Sequence, residues 1–336
     1  MWNKIKENGI VLAVIVLSVA AVILFQLFGV KSYSRYSTDS LHYEQGKVVE
    51  VSSENLEYDE ELGLYLGNQT LKVEITGGEQ KGEIIEVSNY LTKTHNVYAQ
   101  NGMKLIINAD TPENVQPYYT VYNYDRNIPI LSCCIILAAA IICIGRGKGV
   151  KAILGLGYSM FIIIYLVIPA VFSGYSPIWM SILCAVLSTA VTLLLLNGQS
   201  KKTYAAIIAT TIGVLFALLL FMLMSWMLHL NGFSSSEAES LILIHESTGL
   251  KIKDLLFAGV LISSLGAIMD VGMSIVSSLY EVQHHNPSIT TRQLFRSGIE
   301  IGKDMIGTMT NTLILAFTGS AFITLLVFIS YQVQFN

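Results

Sequence analysis

The stretch Leu255-Leu256-Phe257-Ala258-Gly259-Val260-Leu261-Ile262-Ser263-Ser264-Leu265-Gly266-Ala267-Ile268-Met269-Asp270-Val271-Gly272-Met273-Ser274-Ile275 decides the fold class. It is apolar over the ~20 residues a helix needs to cross a bilayer, and it carries one acid, Asp270. A carboxylate inside such a segment is costly, which makes Asp270 a functional-site candidate. At ~3.6 residues per turn, Ser263, Gly266, Asp270, Ser274 and Ser277 share one stripe, opposite Leu261, Leu265, Ile268 and Ile275. One side admits close helix approach and hydrogen bonding; the other suits lipid or apolar neighbours.

After this segment, Asn286-Pro287-Ser288 breaks the chain, and Thr290 with Gln293 matches a capping box. Over about 289–305, Leu294, Phe295, Gly298, Ile301, Gly302 and Met305 line one face, away from Arg292, Arg296 and Glu300. The pattern predicts an amphipathic helix on the cytoplasmic membrane surface, bending into a last span at Ile306–Phe328. That helix carries a second polar stripe of Asp304, Thr308, Asn311 and Thr318, with Gly307 beside it. Facing stripes would let Asp270 accept hydrogen bonds from Asn311 or a threonine. The candidate transport or ion site is therefore Asp270, Asn311, Thr308, Ser274, Gly266, Gly307 and Asp304. Polar residues in spans also serve as plain helix-packing glue. The sequence leaves open whether Asp270 carries a proton, holds a cation or only packs.

Composition extends the membrane reading to the rest of the chain. Of 336 residues, 53% are hydrophobic and 13% charged, about half the charge of a soluble domain, and mean hydropathy is +0.57. Residues 1–30 read as a signal-anchor helix, with Lys4 and Lys6 on the cytoplasmic side of the apolar run Ile10–Phe28. Residues 31–126 are polar and rich in valine, isoleucine and tyrosine. Alternating runs at Gly46–Ser52, Thr70–Ile75, Gly82–Val87, Met103–Ile107 and Tyr118–Tyr124 predict about five strands, separated by turn residues such as Gly77-Gly78 and Asn101-Gly102. This is a small all-β domain, an OB-like barrel or a sandwich, carried out of the cytoplasm by the anchor. Residues 127–336 then form six spans, at Ile128–Ile144, Ile153–Phe172, Ile178–Leu196, Tyr204–Leu230, Leu255–Ser277 and Ile306–Phe328. Within Ala238–Leu255, Leu241-Ile242-Leu243-Ile244 predicts a short interfacial or re-entrant helix. The fold class is an α-helical integral membrane protein with about seven transmembrane helices and an extracytoplasmic β domain between the first two. Arg146, Lys148, Lys151, Lys201, Lys202, Arg292, Arg296 and Lys303 all fall on the amino-terminal side of the membrane, a positive-inside pattern.

The exclusions are as useful. Cys133, Cys134, Cys143 and Cys184 lie inside apolar runs without metal spacing and read as small buried hydrophobes. Adjacent histidines such as His284-His285 cannot both ligate from one helix face, and whether any metal binds stays unknown. No G-x-S-x-G, H-E-x-x-H or Walker loop is present. Ser225 and His229 make a weak nucleophile pair, so the chain does not read as an enzyme. No cofactor is implied. Nothing resembles a basic patch interleaved with aromatics, which argues against nucleic acid as a partner.

The segment Gly266-Ala267-Ile268-Met269-Asp270-Val271-Gly272-Met273-Ser274-Ile275, Asn286-Pro287-Ser288, Leu294-Phe295-Arg296-Ser297-Gly298 and the run Gly302–Leu313 resemble the YibE/F-like family of bacterial multi-span membrane proteins. The resemblance implies a bacterial cytoplasmic-membrane protein and, since the family commonly occurs as two related chains, a related membrane protein or a second copy as partner within the lipid bilayer. It implies no activity. The leading expectation is a membrane transport protein or permease subunit, proton- or cation-coupled. The alternative is a non-catalytic assembly or sensor protein whose β domain binds a partner.

Overall fold

The computed structural model describes residues 2–30, 41–78, 80–112, 115–230, 241–242, 245 and 250–330. The chain divides into two compact units, Ser34–Ala140 and Met1–Tyr33 with Ile141–Asn336.

In the first unit all five expected strands form, and the first two run longer than the alternation indicated: β1 (Leu41–Asp59), β2 (Leu64–Ile75), β3 (Ile84–Leu91), β4 (Lys104–Asp110) and β5 (Tyr118–Tyr124). They close into a barrel in the order β1-β2-β3-β5-β4, with β3 and β5 parallel at Ser88 and Thr120 and the other pairs antiparallel. Of barrel and sandwich, the barrel forms. Alternation dictates the core, since side chains two apart point the same way: Leu71 and Val73 on β2, Val87 on β3, and Leu105 and Ile107 on β4 are fully buried. Gly67, at φ +133, lies where an added Cβ would stand 2.1 Å from the Asn55 carbonyl oxygen, so no side chain fits beneath β1 there.

Two polar side chains share this core. Gln69 Nε2 donates to the Ala99 carbonyl at 3.1 Å, and its Oε1 accepts from Ala99 N at 3.1 Å and from Asn89 Nδ2 at 2.9 Å. Asn89 Nδ2 also donates to the Val97 carbonyl at 2.7 Å. The pair ties the irregular segment between β3 and β4 onto the barrel by satisfying backbone groups that no strand partner reaches.

The second unit is helical. Its elements are α1 (Trp2–Phe28), α2 (Asn127–Ile162, which begins in the other unit), a π-helical turn Ile163–Val167, α3 (Ile168–Phe172), α4 (Pro177–Asn197), α5 (Lys201–Met227), α6 (Ile252–His285), α7 (Thr291–Ser320) and α8 (Phe322–Ser330). Among the described residues, five helical stretches are long and apolar enough to cross a membrane, six if α7 and α8, bent by 60° at their junction, count as one. The connection between the spans expected at Ile128–Ile144 and Ile153–Phe172 is helical. Its break falls on Arg146 alone, at φ 48 and ψ −128. At Gly149 an added Cβ would lie 2.3 Å from the Ile141 carbonyl oxygen; a continuous helix would hold the two about 12 Å apart. The chain therefore turns sharply at Arg146.

Pro169 explains the π turn. In an α-helix the Tyr165 carbonyl would accept from residue 169, which as proline has no N–H. The register slips, with Ile168 N donating to the Ile163 carbonyl, and the Tyr165 carbonyl accepts from Gln26 Nε2 of α1. About two turns away, the Tyr158 hydroxyl donates to Ser18 Oγ at 2.8 Å, and the Phe25 and Tyr175 rings meet edge to face at 5.5 Å. The helix read as an anchor is thus a packed member of the bundle.

The capping box at the start of α7 forms as expected: Thr290 Oγ1 accepts from Gln293 N at 3.3 Å, and Gln293 Oε1 accepts from Thr290 N at 3.1 Å. Two expectations for this helix are corrected. There is no bend near Met305, because the helix runs unbroken to Ser320 and the break comes at Ala321. Its apolar face is covered by protein: Leu294, Gly298, Ile301, Gly302 and Met305 are half-buried, with Gly298 against Leu279 and Gly302 against Ile275 of α6. Phe295 stands outside this face, 69% exposed. Three of the four cysteines also depart from expectation, since Cys133, Cys134 and Cys143 are exposed and Cys184 is buried, all free. Of the helix expected at Leu241–Ile244, residues 243 and 244 lie outside the described residues.

Candidate functional site

α6 is the hub of the bundle, packing against α4, α5 and α7. Small residues bring α5 close: a Cβ on Gly213 would meet Ile268 Cγ2 at 2.7 Å, and one on Gly272 would meet Thr210 Oγ1 at 3.1 Å. An apolar groove of about 470 Å³ separates α5, α6 and α7, lined on α6 by Ala267, Ile268, Val271 and Gly272 and on α7 by Met305, Met309 and Thr310 among others.

The predicted stripes lie outside this groove and point away from each other. Asp270, Gly266 and Ser274 on α6 and Asp304, Gly307, Thr308 and Asn311 on α7 are all exposed in the single chain, and none lines the α5 groove. Asp270 and Asn311 make no hydrogen bond or ion pair among the described residues. The Thr308 hydroxyl donates to its own helix, to the Met305 carbonyl at 3.1 Å. The expected bond from Asn311 or a threonine to Asp270 is therefore not made within one chain. The reason is geometric: α7 meets α6 through Ile275 and Leu279, which lie more than a third of a turn round the helix from Asp270.

On its other shoulder α6 borders a second groove, of about 360 Å³, against α2 and α4. Gly266 and Met269 form one rim, so Asp270 stands next to it. Ser159 forms part of the opposite wall, and Cys184, Ser188 and Thr192 make the floor. These three are buried. Thr192 Oγ1 has no hydrogen-bond partner among the described residues, and its methyl packs where Gly155 leaves room, 3.0 Å from an added Cβ. The sequence reading missed this floor. Its signal is the spacing Ser181, Ala185, Ser188, Thr192, one small residue per turn on a single face of α4.

Other candidates dissolve. Ser225 is buried and its hydroxyl has no partner among the described residues, so His229 does not hold it. His284 and His285 stack edge to face at 5.7 Å, and among the described residues no three His, Cys, Asp or Glu side chains gather to hold a metal ion. The barrel tyrosines pack on one another, Tyr58 on Tyr65 and Tyr65 on Tyr98 with ring centroids 5.0 Å apart. Tyr118 donates to the Tyr90 hydroxyl at 3.1 Å, which raises the Tyr118 phenol above its ordinary value.

Long apolar helices around a hub that carries an acid, with a small barrel in the same chain, are consistent with a helical membrane protein. The sequence model of the YibE/F-like protein family matches residues 133–336, and the chain belongs to that family. Neither a curated protein nor a solved structure matches the chain.

Proposed function

We propose that the chain is a subunit of a membrane transport protein, with Asp270 as the group that carries a proton or holds a cation during transport. One observation carries this reading. Asp270 stands at mid-helix in an apolar segment, yet it has no partner among the described residues. A structural acid at such a depth is paired with a neighbour; one left with free valence suits a site that takes and releases a ligand. The adjoining groove adds an unpartnered hydroxyl, Thr192 Oγ1, and more oxygen at Ser188 and Ser159.

The topology belongs to the same proposal. Splitting the 46-residue stretch Asn127–Phe172 at Arg146 makes two spans of it and brings the total to seven. Lys201 and Lys202 share a pocket with Tyr280, Gln283 and Leu294, so basic residues gather at one end of the bundle, which we place on the cytoplasmic side of a bacterial cell membrane. The end of α1 lies at the other, where the Tyr175 hydroxyl reaches the Gly29 carbonyl at 3.5 Å. The barrel that follows α1 is then extracytoplasmic, and its strand order with a parallel β3–β5 pair supports the OB-like description. No enzymatic activity is proposed.

The test is flux in proteoliposomes under an imposed proton or sodium gradient, with Asp270→Asn, Asp270→Glu and a deletion of residues 40–120. Loss of flux in Asp270→Asn with recovery in Asp270→Glu supports transport. A silent Asp270→Asn beside a damaging deletion supports the assembly reading, which the exposed outer face of α7 favours.

A further inference from the structure

Two cavities on the α5 side of the bundle run into one another. The apolar groove of about 470 Å³ and a second cavity of about 260 Å³ share Val276 of α6 as a wall. Gly213 against Ile268 and Gly272 against Thr210 fix the antiparallel register of α5 and α6. Continued along the pair, this register sets Lys202 level with Tyr280, and both line the second cavity. The combined channel follows one stripe of α5, on which Lys201, Ala205, Ala209 and Gly213 recur every fourth residue. From Lys201 to Gly213 it extends about 18 Å, slightly more than half of a ~30 Å hydrocarbon core. Its character changes along that length. Lys201, Lys202, Tyr280 and Gln283 stand at one end, and none of these side chains has a hydrogen bond or ion pair among the described residues. Beyond Val276 the walls are apolar but for Thr310.

We infer that this channel holds an anionic phospholipid of the surrounding bilayer, with one acyl chain lying along α5 between α6 and α7 and the phosphate at Lys201 and Lys202. Charge and length carry the assignment. Ala209, Ile306 and Thr310 on the groove walls are exposed, so the groove is open to lipid. Empty space beside an apolar wall forfeits the dispersion contacts of its lining, and a chain attached at the membrane surface fills a cleft that starts there and ends near mid-bilayer. The lysines specify the headgroup. Their stems line the cavity while the ammonium groups reach the headgroup layer, and unpaired cations at that level favour an anionic lipid over a zwitterionic one. Ser200 caps α5, accepting from Thr203 N at 3.1 Å, and the positive end of the helix dipole adds to the same preference. Two acids at this depth do not compete for the lysines. Glu281 points to the side of α6 away from the cavity, and Glu300 is held by Lys303 at 2.9 Å. Met305 and Met309 on the α7 wall are unbranched and adapt to chains of different shape. Asp270 lies outside the channel, so the inference needs only that these helices lie in a bilayer.

The experiment is native mass spectrometry of the delipidated full-length protein in detergent, titrated with phosphatidylglycerol and with phosphatidylcholine of the same acyl chains. Phosphatidylglycerol should bind more tightly, by roughly fivefold for each lysine. Lys201→Gln with Lys202→Gln should remove that preference. Arg292→Gln with Arg296→Gln, exposed charges outside the channel, should keep it. Ala209→Phe fills the groove from an exposed position and should weaken binding of both lipids together. In the unmodified protein, phosphatidylglycerol carrying a diazirine midway along one chain should label the groove walls, at residues such as Ala209, Ile275 and Met305. Equal affinity for the two lipids overturns the inference. So does a preference that survives loss of both lysines or falls equally with the arginine pair, binding indifferent to Ala209→Phe, or label confined to other faces of the bundle. Photolabelling uses the natural sequence, so the test does not depend on any variant folding. Binding is read without transport, so its failure leaves the transport reading standing, and a protein without flux leaves the lipid site standing.

Discussion

Gln69 and Asn89 inside the barrel are as deeply buried as Thr189, Thr192, Thr210 and Ser225 among the helices. Gln69 engages both ends of its amide, and Asn89 Nδ2 makes two bonds; Asn89 Oδ1 is left over, as is Asn108 Oδ1 on β4. The four helical hydroxyls have no partner among the described residues, although Ser181 and Thr211 show the usual escape of donating to a carbonyl one turn back, at 2.8 Å in each case. In the barrel, polar groups hold a segment in place. In the bundle, polar groups keep spare valence, and one of them, Thr192, lines the groove beside Asp270, which suits a region that must exchange partners.

If that contrast is right, the largest stability effect should come from the barrel. Gln69→Leu orphans the Ala99 N–H and carbonyl and one Asn89 bond, at about 1–3 kcal/mol per buried group. We expect a loss of roughly 3 kcal/mol or more, read as a lowered denaturation midpoint of the full chain followed by tyrosine fluorescence. Next comes the contact that behaves like the barrel although it lies in the bundle. Gln26→Leu removes the donor to the Tyr165 carbonyl and should cost about 1 kcal/mol. Pro169→Ala returns an N–H to that carbonyl, so the double variant should lose less than Gln26→Leu alone, and a strictly additive pair would show that Gln26 does not serve this carbonyl.

Thr192→Val sharpens the contrast from the other side. It swaps an unpartnered hydroxyl for a methyl of similar shape, so the thermal midpoint should hold or rise slightly, while flux falls if the groove serves Asp270. The smallest effect is electrostatic. Lys72 lies across from Glu50 on β1 and Glu86 on β3, and its hydrogen bond to Glu50, at 2.8 Å, with the attraction between their charges raises the Lys72 ammonium above 10.5. A raised lysine contributes stability that is complete below 10.5 and is lost as pH climbs through the folded value. Lys72→Met should therefore trail the natural protein slightly at neutral pH and match it at strongly alkaline pH.

How much of this the sequence revealed follows the same division. Strands showed themselves through alternation, because in a closed barrel each inward position meets the core whatever its neighbour strand. The capping box was legible because both partners lie within four residues. The face Leu294–Gly298–Gly302 was legible as apolar, but its cover was not, since a helix face looks the same against lipid or protein. Phe295 fell outside that face for the same reason. The Arg146 break hid within a glycine-rich run that reads as a loop, and the Gln26–Tyr165 bond joins residues far apart in the chain. Asp270 stood out by its charge alone, whereas Ser188 and Thr192 resemble any hydroxyl in a span until α2 and α6 are set beside them.

The central claim is that Asp270 is kept for function and contributes nothing to holding the bundle. The most direct measurement is the thermal midpoint of purified Asp270→Asn in detergent, taken with its proton- and sodium-driven flux in liposomes. The account predicts an unchanged midpoint and abolished flux. A lowered midpoint with flux intact would contradict it, and would make Asp270 a strut of the same kind as Gln69.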